Sequence, residues 1–323
     1  MSSHPYRVLV TGACGQIGTE LVAALREKHG WKNVIASDIH TMSEMMQHGS
    51  YLKLDVLNKK KLVYMVGHLA IKEIYHLAAV LSAKGEQNPV AAWDLNMQGL
   101  LNVLEVAREK KIKKVFWPSS IAVFGPGSMP SVCFQNAKAD PLTIYGISKM
   151  AGEYWCRYYN RNYGLDIRSL RYPGLVSYSA PAGGGTTDYA VEIFHAATRS
   201  GTYTCFLKEN TCLPMMYMAD AIRATLELME AQKASLSVDT SYNIAGMAFT
   251  PRELAGAIRA HIPGLEVDYV PDARQQIADN WPQSVNDRQA HQDWGWQAAY
   301  DLNAMVSDML AHLQVKNTER SFV

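Results

Sequence analysis

Short apolar runs alternate with amphipathic stretches through the first half of the chain, and that alternation predicts the elements. Strands are expected near 7–11 (RVLVT), 33–38 (NVIASD), 51–56 (YLKLDV), 73–79 (EIYHLAA), 114–120 (KVFWPSS) and 166–172 (DIRSLRY). Helical spacing fills the gaps: over 16–28, Ile17, Leu21, Ala24 and Leu25 share a face, and Gly30 suits the helix end. Strand–helix alternation requires right-handed crossovers, hence a parallel sheet covered on both faces. After Pro173 the rhythm weakens, with helical patterns near 188–199, 219–231 and 251–261 and a stretch at 276–296 rich in Trp, Gln and Asp. The pattern divides the chain into an α/β part over 1–175 and a smaller lobe over 176–323, partly interleaved with the last strands of the sheet.

Between the first strand and the first helix stands T-G-A-C-G-Q-I-G, with glycines at 12, 15 and 18. Tight turning, close backbone approach and close helix–strand packing each require a residue without Cβ, and the helix N-terminus then offers N–H groups to a pyrophosphate. The α/β part therefore reads as a Rossmann-type doubly wound parallel sheet, with Gly12, Gly15, Gln16, Ile17 and Gly18 holding a dinucleotide. Asp38 ends the second strand twenty residues after Gly18, where a carboxylate accepts ribose hydroxyls and repels a 2′-phosphate. NAD is thus favoured over NADP; the competing reading of Asp38 is a turn cap. Asp55 and Val56 suit the adenine, and for Asp55 a plain turn aspartate fits equally well. The fourth strand ends in HLAA, whose small residues let a cofactor cross the strand ends at Leu77, Ala78 and Ala79. His76 reads as a satisfied core histidine.

The reactive chemistry lies at Tyr145-Gly-Ile-Ser-Lys149, a phenol and an ammonium four apart on one helix face. The cation lowers the cost of ionising the phenol, which fits Tyr145 as a general base on an alcohol. Ser120, beside Ser119 at a strand end, is placed to hold the alcohol oxygen, although a turn after the strand would also use serines there. Further along, Gly183 to Gly185, Thr186, Thr187 and a helix start near Asp188 read as an anion site of free N–H groups, with Ser82 and Thr187 as hydroxyl donors; an ordinary capped helix start is the alternative. Trp281 in N-W-P suits closure over a small substrate, and equally a core or interface position. The helix after Tyr145 carries Met150, Tyr154, Trp155 and Tyr158 as an apolar stripe, which serves either a core or a dimer face.

The ordered set VTGACGQIG, Asp38, HLAA, PSSIAVFG, YGISK and RYPG resembles the extended short-chain dehydrogenase/reductase family over residues 7 to about 175. The resemblance implies NAD as cofactor, Ser120, Tyr145 and Lys149 as the hydride-transfer set, and the turn Pro173, Gly174, Leu175 against the nicotinamide. The stretches LSAKGE (81–86), AGGGTTDYA (182–190), LPMMYMAD (213–220) and NWPQSVNDRQAHQDWGW (280–296) are similar to the branch that oxidises the 3-hydroxyl of L-threonine to 2-amino-3-oxobutyrate. That likeness implies L-threonine as the substrate, Ser82, Ser120, Tyr145, Thr186, Thr187 and Trp281 around it, and a homodimer. A nucleotide-sugar epimerase or dehydratase is the rival, but it needs Lys or Arg to grip a pyrophosphate, and 176–198 contains neither. A protein that binds NAD without turning anything over is the other alternative.

Bulk properties narrow the partners. The 323 residues carry 31 basic and 30 acidic side chains, which disfavours nucleic acid or an anionic membrane surface as partner. No apolar stretch reaches the length of a membrane span, and a first strand starting by Tyr6 leaves no room for a targeting segment, so a cytoplasmic location is expected, with a processed mitochondrial-matrix form equally compatible. Five scattered cysteines lack disulfide or zinc-like spacing, and no metal is expected.

Overall fold

The computed structural model describes residues 6–41, 49–127, 131–180 and 182–320. The chain opens with β1 (Arg7–Thr11), α1 (Gln16–His29), β2 (Val34–Asp38), β3 (Ser50–Lys53), α2 (Lys59–His68) and β4 (Ile71–His76). It continues with α3 (Ser82–Gln87), α4 (Pro89–Trp93), α5 (Gly99–Glu109), β5 (Lys114–Phe116), β6 (Ser119–Ser120), β7 (Val132–Cys133), α6 (Ile144–Tyr163), β8 (Ile167–Tyr172) and β9 (Gly174–Val176). Then follow α7 (Tyr189–Arg199), β10 (Thr202–Cys205), β11 (Leu213–Tyr217), α8 (Met218–Glu230), β12 (Ser241–Asn243), β13 (Met247–Phe249), α9 (Pro251–Arg259), β14 (Glu266–Tyr269), α10 (Arg274–Ala278), β15 (Ser284–Val285), α11 (Arg288–Trp294) and α12 (Leu302–Arg320).

The main sheet is parallel throughout, in the order β3-β2-β1-β4-β5-β8-β12, with β6 also pairing β8. Side-chain alternation sorts its residues between two cores. Val8, Val10 and Tyr75 pack with Leu21, Leu25, Ala221 and Leu228 of α1 and α8 on one face. Leu9, Ile35 and Ile74 pack with Leu62, Leu100, Val103 and Cys156 of α2, α5 and α6 on the other. A strand covered on both faces is buried at every position, as RVLVT is after its first residue. Each such Val or Leu contributes about 1.5–3 kcal/mol by burial. A further core gathers α7, α9 and α12 around the small sheet β13-β11-β9, in which β9 pairs parallel with β11.

Three strands stop short of their expected ends. The third ends at Lys53, and at Asp55 the side chain bends back to accept from Leu57 N (2.9 Å). The fourth ends at His76. The fifth breaks at Trp117–Pro118, where proline has no N–H for a ladder, and resumes as Ser119–Ser120. The stretch 276–296 is divided among the end of α10, the short β15 and α11. Gly30 caps α1 with positive φ, its N–H donating to Arg26 O.

Candidate active site

The order of strands reverses between β1 and β4, which opens a crevice at their carboxyl ends. The glycine turn fills the floor of that crevice. Gly12 has φ +71°, and a Cβ there would lie 2.6 Å from Ala78 N; one on Gly18 would overlap the Gly12 carbonyl. The turn therefore fits tightly against Leu77–Ala78 and against its own helix. No side chain caps α1, so the first-turn N–H groups of Gln16, Ile17 and Gly18 face outward from a positive helix end. The buried Gln16 Nε2 has no hydrogen-bond partner among the described residues. A cradle that rejects side chains, with orphan donors around it, fits a dinucleotide pyrophosphate.

Asp38 is buried at the end of β2, where Oδ2 accepts from Cys14 N (3.0 Å) and Oδ1 from His40 N (3.1 Å). It therefore pins the glycine loop and also caps a turn. Asp55 makes the turn bond described above, and the Val56 carbonyl beside it accepts from Asn102 Nδ2 (2.9 Å). His76 is a core residue, its Nδ1 sharing a 2.8 Å hydrogen bond with Thr11 Oγ1. Its Nε2 has no partner among the described residues, and burial drives its pKa down to about 3.

Helix α6 starts under two clamps. Thr143 caps it by accepting from Gly146 N (3.0 Å), and Glu86 of α3 accepts from Ile144 N (2.7 Å). These fix Tyr145 one residue into the first turn. Ser120 hydrogen-bonds the Tyr145 hydroxyl and accepts from Ala122 N (3.2 Å). Lys149 donates to the Pro118 carbonyl at the strand break (2.6 Å), with Nζ 5.3 Å from the Tyr145 ring centroid and 4.7 Å from that of Trp117. The structure thus brings Ser120, Tyr145 and Lys149 together. It corrects the electrostatics expected of them. Burial pushes the Tyr145 phenol up to about 12, with the Ser120 hydroxyl working the other way, and burial pulls the Lys149 ammonium down to about 7. Counting the nearby cation without its desolvation overstated the help it gives.

On the substrate side, the hydroxyls of Ser82 and Thr186 stand 3.3 Å apart, both buried. Thr187 packs on the backbone of Gly174, so that the turn Pro173, Gly174, Leu175 meets the 182–188 loop. The N–H groups of that loop are not free as expected. The Asp188 carboxylate curls back to accept from Gly184 N and Gly185 N, both at 2.7 Å. Burial raises the Asp188 pKa, against the pull of these N–H groups. Trp281 is half-buried between the core around α7, α9 and α12 and the Phe124 cluster, and it lines two cavities of about 600 and 410 Å³. Thr143, Glu86 and Arg274 also border the smaller one.

One organising residue escaped sequence reasoning. Asn96 lies in a single π-helical turn (94–98), a geometry that concentrates at functional sites. Its Oδ1 accepts from Val80 N (2.8 Å), while Nδ2 donates to Val80 O (3.1 Å) and Ser148 Oγ (3.2 Å). Ser148 in turn donates to Tyr145 O (2.7 Å), so Asn96 ties the loop after β4 to the helix of Tyr145. The available signal was an asparagine amid the apolar helical run around Leu95, Met97, Leu100 and Leu101.

A glycine turn at the reversal point of a parallel sheet, with a hydroxyl, a phenol and an ammonium gathered beside it, defines a dinucleotide-dependent α/β enzyme. The chain belongs to the NAD dependent epimerase/dehydratase family, which matches residues 8–245. NAD is therefore its cofactor. It is 47% identical over 310 residues to the mitochondrial L-threonine 3-dehydrogenase of Bos taurus, spanning 94% of this chain and 82% of that one. Among solved structures it is similar to the holo form of a GalE-like L-threonine dehydrogenase from Cupriavidus necator (TM-score 0.93, 54% identity, 95% of this chain and 99% of that one). It is also similar to the apo form of a monomeric L-threonine 3-dehydrogenase from a metagenome (TM-score 0.93, 47% identity, 96% and 99%).

Proposed function

We propose that this chain oxidises the 3-hydroxyl of L-threonine with NAD, using Tyr145 as general base. The observation that carries the reading is the Ser120–Tyr145–Lys149 cluster on the rim shared with the glycine cradle; the similarity along nearly the whole chain to enzymes named for this reaction supports the substrate. The cradle of Gly12, Gly15, Gln16, Ile17 and Gly18 holds the pyrophosphate and Asp38 the adenosine ribose. Asp55 and Val56 border the adenine, Leu77 to Ala79 line the path across the strand ends, and Pro173 and Leu175 flank the nicotinamide. Bound NAD supplies the acceptor for the hydride leaving the alcohol carbon. Ser120 holds the substrate oxygen as charge grows on it; once the Tyr145–Lys149 pair has released one proton to solvent, Tyr145 as phenolate takes the hydroxyl proton, and the Lys149 ammonium offsets that charge within reach of the nicotinamide ribose. The buried hydroxyls of Ser82 and Thr186, with Thr187, receive the carboxylate end, and Trp281 shields the site from water. The C–H bond of the carbinol gives up hydrogen and two electrons as hydride, the O–H bond gives a proton to Tyr145, and the product is 2-amino-3-oxobutyrate, a β-keto acid prone to lose CO2.

Residues to about 175 carry the cofactor and 176–323 the substrate in this reading, and the protein works as a homodimer through the exposed aromatic face of α6. The test is NADH formation from NAD and L-threonine, beside D-threonine, L-allo-threonine, L-serine and NADP. Turnover with L-threonine that is weak with NADP and lost in Tyr145→Phe supports the reading. Silence with threonine in a protein that binds NAD overturns it and makes UDP-sugars the next substrates to assay.

A further inference from the structure

Behind the reactive cluster lies a buried ion pair that the reaction as described does not use. Glu153 sits on α6 one turn beyond Lys149, and Arg171 on β8; both are buried. The two meet as a fork: Arg171 Nε donates to Glu153 Oε1 and the terminal Nη2 to Oε2, both at 2.8 Å. Ser119 Oγ donates to the same carboxylate at 2.6 Å. The other arm of the guanidinium, Nη1, donates to Gln135 O (3.0 Å) and Asn243 Oδ1 (3.2 Å). Register places these groups side by side, since Ser119 and Asn243 both stand opposite Arg171, and Ser120 opposite Tyr172. One carboxylate thus joins the helix carrying Tyr145 and Lys149 to the two-residue strand carrying Ser120.

Such a pair is costly to bury, and in some proteins its retention serves to fix one geometry. The strand break at Pro118 makes a fixing device necessary here: β6 has only two residues, and its hydroxyl must stay on the Tyr145 oxygen. We infer that the Glu153–Arg171 pair is a positioning device, which anchors the Ser119–Ser120 strand end to α6 and sets the charge felt at the Lys149 ammonium. The charged and titratable groups around that ammonium are Tyr145, Glu153 and Cys156 on its own helix, His76 on β4, and Arg171 on β8 behind Glu153. Glu153 favours the charged lysine, against its burial.

The inference rests on the Ser–Tyr–Lys reading, and its test has a readout independent of threonine. Proton exchange on NAD binding is measured by calorimetry in two buffers across pH, beside the pH profile of kcat/KM. Glu153→Gln leaves an unpaired guanidinium and is expected to move the apparent pKa of the Tyr145–Lys149 pair down by about one unit; Arg171→Met leaves an unpaired carboxylate and is expected to move it up. Opposite shifts are a signature that general loosening does not produce. Ser119→Ala, a mild change, is expected to lower kcat about tenfold, with the apparent pKa unmoved and the threonine KM within about threefold. Should either single charge variant fail to fold, Glu153→Gln combined with Arg171→Met is expected to keep the wild-type pKa and lose about tenfold in kcat. Shifts in the same direction, no shift in folded single variants, or full kcat in Ser119→Ala or in the double variant overturn the inference. A wild type that binds NAD and does not oxidise threonine removes the functional reading instead, and the calorimetric shifts then decide the inference.

Discussion

At Tyr145 burial and charge oppose one another. The phenol is held up at about 12 and Lys149 down at about 7, so the two groups together give up their first proton near neutrality. That proton is the one whose loss lets the pair accept another from an alcohol. The rate constant kcat/KM is therefore expected to rise with pH, tenfold per unit below about 7, and then level off. Tyr145→Phe is expected to lower kcat by about 10²-fold or more while NAD affinity, read by calorimetry, is kept. The pairing of Tyr145 with Lys149 was legible because four residues make one helical turn. The pKa values were not, since desolvation depends on neighbours far away in sequence, such as Trp117 and Pro118 against Lys149. His76 carries a second pH effect. Its folded value near 3 lies below the ordinary 6.5, so the unfolded chain binds the extra proton, and the stabilisation is complete above 6.5 and lost as pH falls toward 3. Urea unfolding at pH 7.5 and pH 5 is expected to show about 2 kcal/mol more loss in wild type than in His76→Gln.

At the scale of elements, loops are held by carboxylates that reach back to backbone N–H groups. Asp38 holds the glycine turn through Cys14 N. Asp38→Asn keeps an acceptor for that bond and Asp38→Ala does not. The alanine variant is therefore expected to bind NAD at least about fivefold more weakly than the asparagine variant, in calorimetric titrations. Asp188 does the same for the loop of Thr186 and Thr187. Asp188→Ala is expected to raise the threonine KM more than it lowers kcat, read from initial rates. The glycine turn was legible because its spacing is local and sterically forced. The second loop was misread because G-G-T-T-D lets an aspartate at a helix start fill the very N–H groups that looked available. Asn96 was invisible for a related reason: its partners Val80 and Ser148 lie 16 and 52 residues away in sequence.

At the scale of the molecule, the alternation of strands and helices made the parallel sheet legible from Arg7 to Tyr172. The small sheets were not, since their short strands stand outside any regular strand–helix alternation that would mark them. An interleaving of the later chain with the sheet was expected, but the strand that does it, β12, was not identified. No helix among the described residues is long and apolar enough to cross a membrane. Tyr154, Trp155, Tyr158 and Tyr163 are exposed on α6, and the last three form one contacting row. Light scattering is expected to give a dimer for wild type and a monomer for Trp155→Glu with Tyr158→Glu; a wild-type monomer would remove the dimer proposal. One residue, Pro173, separates β8 of the main sheet from β9 of the small one, and Ser120 stands opposite its neighbour Tyr172. A pivot with a ring-locked φ has little slack. Any rocking of the small sheet against the large one therefore leaves the atoms beside the pivot nearly still, and its amplitude grows with distance, as at the tip of a lever, toward the outer rim.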